Sequence, residues 1–162
     1  IGGGQTISQP YIVAYMTEQL RVEADSVVFE VGTGSGYQAA ILGMLAAEVH
    51  TIEAVEVLYK RTKRLIESLG YTNIFCYHGD GYHGAGGVKA FDRIIITAAA
   101  PRVPETLIEL LATGGRMILP VGSPYGYQEL VSVERSEEGV HTRSLLGVRF
   151  VPMTGRIARR HG

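Results

Sequence analysis

The chain has 162 residues, 46% of them hydrophobic, and carries 15 Lys and Arg against 16 Asp and Glu for a formal charge of −1. This length favours one domain that can bury a core, and the charge balance excludes the strongly basic profile of a nucleic-acid or anionic-membrane binder. Cys76 is the one cysteine, which excludes an internal disulfide and a cysteine zinc cluster; together with the lack of a secretory leader pattern or a bilayer-length apolar run, it leads us to expect a cytoplasmic protein.

In chain order, Pro10 to Leu20 reads as a helix, with Ser8 or Gln9 near its N-cap and Pro10 in its first turn. Ser26 to Val31 is almost continuously apolar and β-branched, as suits a strand covered on both faces of a parallel sheet. Gly32, Gly34 and Gly36 follow, then an Ala- and Leu-rich helical stretch from Tyr37 to Ala47. A second strand spans Glu48 to Glu53. A helix from Val55 to Leu69 comes next, with Val55, Leu58, Leu65, Ile66 and Leu69 as its apolar face, and Gly70 stops it. A strand at Asn73 to Tyr77, a glycine-rich loop from Gly79 to Gly87 and a strand at Phe91 to Thr97 continue the alternation. Pro104 opens a helix to Thr113, stopped by Gly114 and Gly115, and Arg116 to Val121 is a strand. Gln128 to Arg135 and Val140 to Val151 alternate as a hairpin turning near Glu137 to Gly139. The sum is an α/β fold, a doubly wound, mostly parallel sheet with antiparallel C-terminal strands, in one domain over residues 1–162.

Sheets of this kind take ligands at the carboxyl ends of their strands, where strand order reverses. The segment Glu30-Val31-Gly32-Thr33-Gly34-Ser35-Gly36 stands directly after the first strand. It departs from the dinucleotide fingerprint GxGxxG because its third glycine comes one position early and Tyr37 stands where a glycine is wanted. An acid at Glu30 gives nothing to a pyrophosphate but favours a cationic ligand. The pattern resembles motif I of class I methyltransferases, whose ligand S-adenosyl-L-methionine carries an ammonium and a sulfonium. Glu53 then stands where an acid bonds the ribose hydroxyls, and Gly79-Asp80-Gly81 where this class contacts the adenine ring; Asp80 suits loop capping nearly as well.

Further segments narrow the resemblance. Gly4-Gln5-Thr6-Ile7-Ser8-Gln9-Pro10, Val31 through Ala40, Gly79-Asp80-Gly81-Tyr82, Thr97-Ala98-Ala99-Ala100-Pro101, Gly114-Gly115-Arg116, Pro120-Val121-Gly122 and Val148-Arg149-Phe150-Val151-Pro152 resemble, in order, the protein-L-isoaspartate O-methyltransferases. The resemblance implies methyl transfer from S-adenosyl-L-methionine to the free α-carboxylate of L-isoaspartyl residues in damaged proteins and peptides, giving an ester that closes to a succinimide. It implies that Ser8 is the active-centre serine, that Gln5, Thr6 and Ile7 lie over cofactor and substrate, that Thr97 and the small residues after it face the substrate side, and that Thr154 lies near the methionine end of the cofactor. With Glu30, Gly32, Thr33, Gly34, Ser35, Gly36, Glu53, Gly79, Asp80 and Gly81, these complete the expected site. Ser8 suits capping of the Pro10 helix as well as orienting a carboxylate. Members of the family carry a helical segment ahead of the Gly-Gln-Thr-Ile-Ser stretch, so we expect this chain to lack its native front, with the first loop mobile as a result.

The expected partners are isoaspartyl proteins and peptides, with no nucleic acid, no membrane and a monomeric state. His50, His78, His83, His141 and His161 share no metal-ligand spacing, so no metal is expected. A basic end at Arg156, Arg159, Arg160 and His161 reads as a solvated tail. Two alternatives stay open: a class I methyltransferase for a small molecule, and a cofactor-binding module without turnover. A dinucleotide oxidoreductase is disfavoured by Glu30 and Tyr37.

Overall fold

A computed structural model describes residues 9–156. Its elements are α1 (Pro10–Leu20), β1 (Val27–Val31), α2 (Tyr37–Leu45), β2 (Glu48–Glu53), α3 (Glu56–Ser68), β3 (Ile74–His78), β4 (Phe91–Ile96), α4 (Glu105–Glu109), β5 (Leu111–Gly122), β6 (Gln128–Ser136) and β7 (Gly139–Val148). The strands form one sheet in the order β3-β2-β1-β4-β5-β6-β7. From β3 to β5 neighbouring strands are parallel, whereas β5, β6 and β7 pair antiparallel. The expected doubly wound sheet with an antiparallel far edge is therefore present. Strand order reverses between β1 and β4, which opens the crevice that such folds use for ligands.

Alternation along the strands divides the core into two layers. Phe29, Val31, Ile94, Ile96, Met117 and Leu119 pack on one face with Leu107 of α4, and Phe29 stacks on Phe91 with ring centroids 4.8 Å apart. On the other face, Val28, Val49, Ile95 and Ile118 pack against Met16 and Leu20 of α1, Leu42 of α2 and Ile66 of α3. At roughly 25 cal/mol per Å² of apolar surface, burying both faces supplies the main drive for folding. The glycine-rich loop after β3 also packs on the first layer, where Tyr82, Ala85 and Val88 contribute.

Four expectations need correction. Helix α3 buries Leu58, Thr62 and Ile66, one turn apart, while Leu65 and Leu69 remain 47% and 59% exposed. Helix α4 ends at Glu109 instead of Thr113, because Leu111 already pairs with Phe91. One residue of β4 then lies opposite four of β5 between Phe91/Leu111 and Arg93/Arg116, so Gly114, at φ 84°, serves a strand irregularity and not a helix stop. Finally, β7 ends at Val148, and residues 149–154 leave the hairpin to run beside Ala99: Ala99 N–H donates to Val151 O at 2.8 Å and Met153 N–H to Ala99 O at 2.9 Å.

Candidate functional site

The loops that follow β1, β2, β3 and β4 emerge along one edge of the sheet and line a common pocket. It encloses about 950 Å³ of non-protein space, its solvent-open mouth included. Its wall takes Gly32, Thr33, Gly34 and Ser35 from the first loop, Glu53 to Val55 from the second, Gly79 and Asp80 from the third, and Thr97 and Ala98 from the fourth. Val151 to Thr154 close another side.

The first loop has a conformation that only glycines relieve of strain. Gly32, Gly34 and Gly36 have φ of 98°, 54° and 84°, and a Cβ on Gly32 would stand 2.7 Å from Thr97 Oγ1. Thr97 donates its hydroxyl proton to Gly32 O at 2.7 Å, which ties the loop to β4 across the strand reversal. Thr62 of α3 donates to Gly34 O at 2.7 Å and secures the other end. Gly36 lets α3 approach: its Cβ would meet Thr62 Cγ2 at 2.7 Å.

Glu53 fixes a carboxylate in the wall. Its two oxygens accept from Gly34 N–H at 2.8 Å and Val55 N–H at 3.0 Å. Each oxygen keeps acceptor capacity beyond that bond. Asp80 caps its own loop by accepting from Tyr82 N–H at 3.0 Å, and its other oxygen accepts from Arg156 N–H at 2.8 Å. It also lines the pocket, so its capping and lining positions are compatible.

Glu30 departs from the expectation. Its side chain is fully buried and is absent from the pocket wall. Burial pushes its carboxyl up to about 8; the hydrogen bond from Thr51 partly offsets this, and the charge of Glu53 adds to the rise. Enclosed in this way, the Glu30 carboxyl presents no oxygen to the pocket wall. Glu30 instead anchors a relay: Thr33 donates to Thr51 at 2.6 Å, and Thr51 donates to Glu30 Oε1 at 2.6 Å, while Oε2 has no protein partner. The acid thereby positions Thr33, which does line the pocket.

Gly36 and Gly81 likewise shape the site without lining it; Gly81 adopts φ 78° where a Cβ would meet Ile52 Cγ2 at 3.1 Å. Gln5, Thr6, Ile7 and Ser8 lie outside the described residues, as do Arg159, Arg160 and His161. Sequence reasoning missed Val13, Met16, Gln38 and Ile52 as lining residues. Val13 and Met16 are three apart on α1 and look like core positions, so no local signal separated the two roles. Among the described residues, no cluster of three or more His, Cys, Asp or Glu could hold a metal ion. Burial pushes the Cys76 thiol up to about 11, away from thiolate reactivity.

The family model for protein-L-isoaspartate(D-aspartate) O-methyltransferase matches residues 1–158. The chain belongs to this family. It is 52% identical over 156 residues to protein-L-isoaspartate O-methyltransferase 2 of Syntrophobacter fumaroxidans, covering 96% of this chain and 63% of that protein. With the namesake of Shewanella sediminis it shares 51% over 162 residues, covering all of this chain and 66% of the relative. The chain thus spans about two thirds of the length of these relatives. A solved protein-L-isoaspartate O-methyltransferase superposes with a TM-score of 0.88 at 27% identity, covering 98% of this chain and 52% of that one. A Plasmodium falciparum structure described as a member of the same family, in complex with S-adenosyl-L-homocysteine, gives a TM-score of 0.81 at 28% identity, covering 95% and 78%. Among the described residues, no helix of this family member is long and apolar enough to cross a membrane.

Proposed function

We propose that the protein transfers a methyl group from S-adenosyl-L-methionine to the α-carboxylate of L-isoaspartyl residues in proteins and peptides. The observation that carries this reading is the fixed Glu53 carboxylate beside the left-handed glycine loop, at the strand reversal of a chain matched by the family model over residues 1–158. Glu53 suits the ribose hydroxyls, because each oxygen already held by a backbone N–H can accept once more. Gly32, Thr33, Gly34 and Ser35 suit the methionine end, where backbone must approach closely. Gly79 and Asp80 border the expected adenine position, and Thr97 and Thr154 line the same pocket. When bound, S-adenosyl-L-methionine supplies an electrophilic methyl on its sulfonium.

The protein's part is alignment and exclusion of water. An aspartyl-type carboxyl, which in water titrates near pH ~3.9, is ionised at neutral pH, so no general base is required to make the nucleophile. Ala98, Val151, Pro152 and Met153 give the pocket an apolar side where a carboxylate would shed water that blunts its reactivity. Ser8, Gln5, Thr6 and Ile7 complete this proposal from the sequence: Ser8 orients the carboxylate by donating one hydrogen bond, and the other three cover it. Balanced charge suits protein substrates over nucleic acid, and a lone, raised-pKa thiol suits a reducing cytoplasm, with a monomer as the acting unit.

The test is transfer of labelled methyl from S-adenosyl-L-methionine to paired peptides that differ only in L-isoaspartate or L-aspartate. We expect base-labile label on the isoaspartyl peptide alone. Label on both peptides equally, or on neither while a small carboxylic acid is methylated, overturns the substrate assignment.

A further inference from the structure

Because β1, β4 and β5 are parallel, the loop after β5 emerges on the same rim as the pocket. It spans residues 123–127, Ser-Pro-Tyr-Gly-Tyr, and leaves Tyr125 98% and Tyr127 74% exposed. Burying an aromatic side chain is worth more to a fold than almost any other single burial, so two tyrosines displayed together ask for a partner outside the fold.

The loop fixes the backbone that carries them. Gly126 N–H donates to Ser123 O at 3.3 Å, closing a turn with Pro124 at its second position. Gly122 and Gln128 pair across its base. The ring of Tyr127 lies over Gly147 of β7, where a Cβ would meet it at 3.6 Å. An aromatic ring on a fixed backbone has only two side-chain torsions to order, so it binds with little loss of conformational entropy.

The loop is also bonded to the pocket wall. The Gln128 side chain, 2% exposed, donates from Nε2 to Ser123 O at 3.1 Å and to Phe150 O at 3.2 Å, while its Oε1 accepts from Phe150 N–H at 2.7 Å. Residues 151–154, directly after Phe150, line the pocket. On the other side, Gly122 N–H donates to Ala100 O at 2.9 Å, three residues from Thr97. The tyrosines therefore stand on the β4–β5 side of the rim, beyond Thr97 and Ala98, while Glu53 and the glycine loop occupy the β1–β2 side.

We propose that Tyr125 and Tyr127 form a platform for the substrate polypeptide flanking the isoaspartyl residue, and so set which peptides are methylated efficiently. The inference rests on the reaction proposed above. An isoaspartyl residue inside a chain has polypeptide on both sides. With its carboxylate in the pocket, one flank must leave across the part of the rim that the cofactor loops do not use. The tyrosine faces suit apolar and aromatic flanking side chains.

The test compares the wild-type protein, a Tyr125→Ser, Tyr127→Ser double variant and a Tyr125→Phe, Tyr127→Phe control. Each is assayed for methyl transfer to an isoaspartyl dodecapeptide with apolar flanks and to a capped isoaspartyl dipeptide, and for S-adenosyl-L-homocysteine binding by calorimetry. We expect the serine pair to raise KM for the dodecapeptide by about tenfold or more, in line with the loss of two solvent-facing aromatic contacts. KM for the dipeptide, kcat and homocysteine-ligand affinity should stay at wild-type values, and the phenylalanine pair should behave as wild type. An unchanged dodecapeptide KM overturns the platform, as does an equal loss on both peptides with weakened ligand binding. If the wild-type protein methylates neither isoaspartyl peptide, the proposed reaction itself fails and the platform falls with it.

Discussion

Glu53 holds two backbone N–H groups and still faces the pocket, so its charge serves the loop and the ligand together. Charge-assisted hydrogen bonds contribute about 1.5–3 kcal/mol each. Glu53→Gln should therefore weaken S-adenosyl-L-homocysteine binding by roughly 10- to 100-fold, read by calorimetry. Unchanged affinity would place the ribose elsewhere. Glu30 makes a different prediction. Its folded pKa of about 8 lies above the ordinary glutamate value of 4.5, so the folded state holds a proton that the unfolded chain releases between those values. Its contribution is fully present below the unfolded pKa and is lost as pH rises through about 8. Each tenfold gain in proton affinity corresponds to about 1.4 kcal/mol, so charging this site opposes folding by several kcal/mol. Urea unfolding should show lower stability at alkaline than at mildly acidic pH, and Glu30→Gln should flatten that slope; an equal slope in both proteins would remove Glu30 as its cause.

Among the elements, the first loop and the 149–154 segment decide the shape of the site. Gly32→Ala forces a left-handed φ of 98° on a side chain and presses its Cβ toward Thr97 Oγ1. The expected loss is about 1–3 kcal/mol of stability, with weaker cofactor binding, because Thr97 can relieve the clash only by giving up its bond to the loop. A melting curve matching wild type would show that the loop tolerates another conformation. Gln128→Ala leaves Phe150 N–H and two carbonyls without their buried side-chain partner. That should cost about 1–3 kcal/mol, and hydrogen exchange should quicken at Phe150 while β1 and β4 stay protected. Uniform loss of protection across the sheet would instead mark a general destabilisation.

For the whole molecule, the pocket is assembled from six separate stretches of chain, so a ligand that fills it should brace the sheet's reversal point and raise global stability. At a free ligand concentration of 100 Kd, S-adenosyl-L-homocysteine should add about 2.7 kcal/mol. In a chain of this size that shifts the melting temperature by roughly 5–10 °C. Nicotinamide dinucleotide at the same concentration should produce no shift, given the departures of the loop from the GxGxxG spacing; a larger shift with the dinucleotide would reverse the cofactor assignment.

The alternation of β-branched runs with helical stretches made the parallel sheet legible, because strands buried on both faces need continuous apolar sequence. The glycine spacing after Val31 marked the crevice because backbone that must bend tightly near a ligand leaves few residue choices, and the acids ending the β1 and β2 regions marked it by their charge and acceptor oxygens. Local sequence did not disclose that, of these two acids, Glu30 turns inward while Glu53 presents its carboxylate to the pocket, since the direction of a strand-end side chain depends on register with β2 and on Thr51. Nor did it disclose that Leu111 leaves a helical pattern for the ladder, or that the segment after the hairpin binds Gln128 through Phe150 and Ala99 through Val151 and Met153. Those outcomes rest on pairings between residues far apart in the chain, whose energies exist only once the sheet has brought them together.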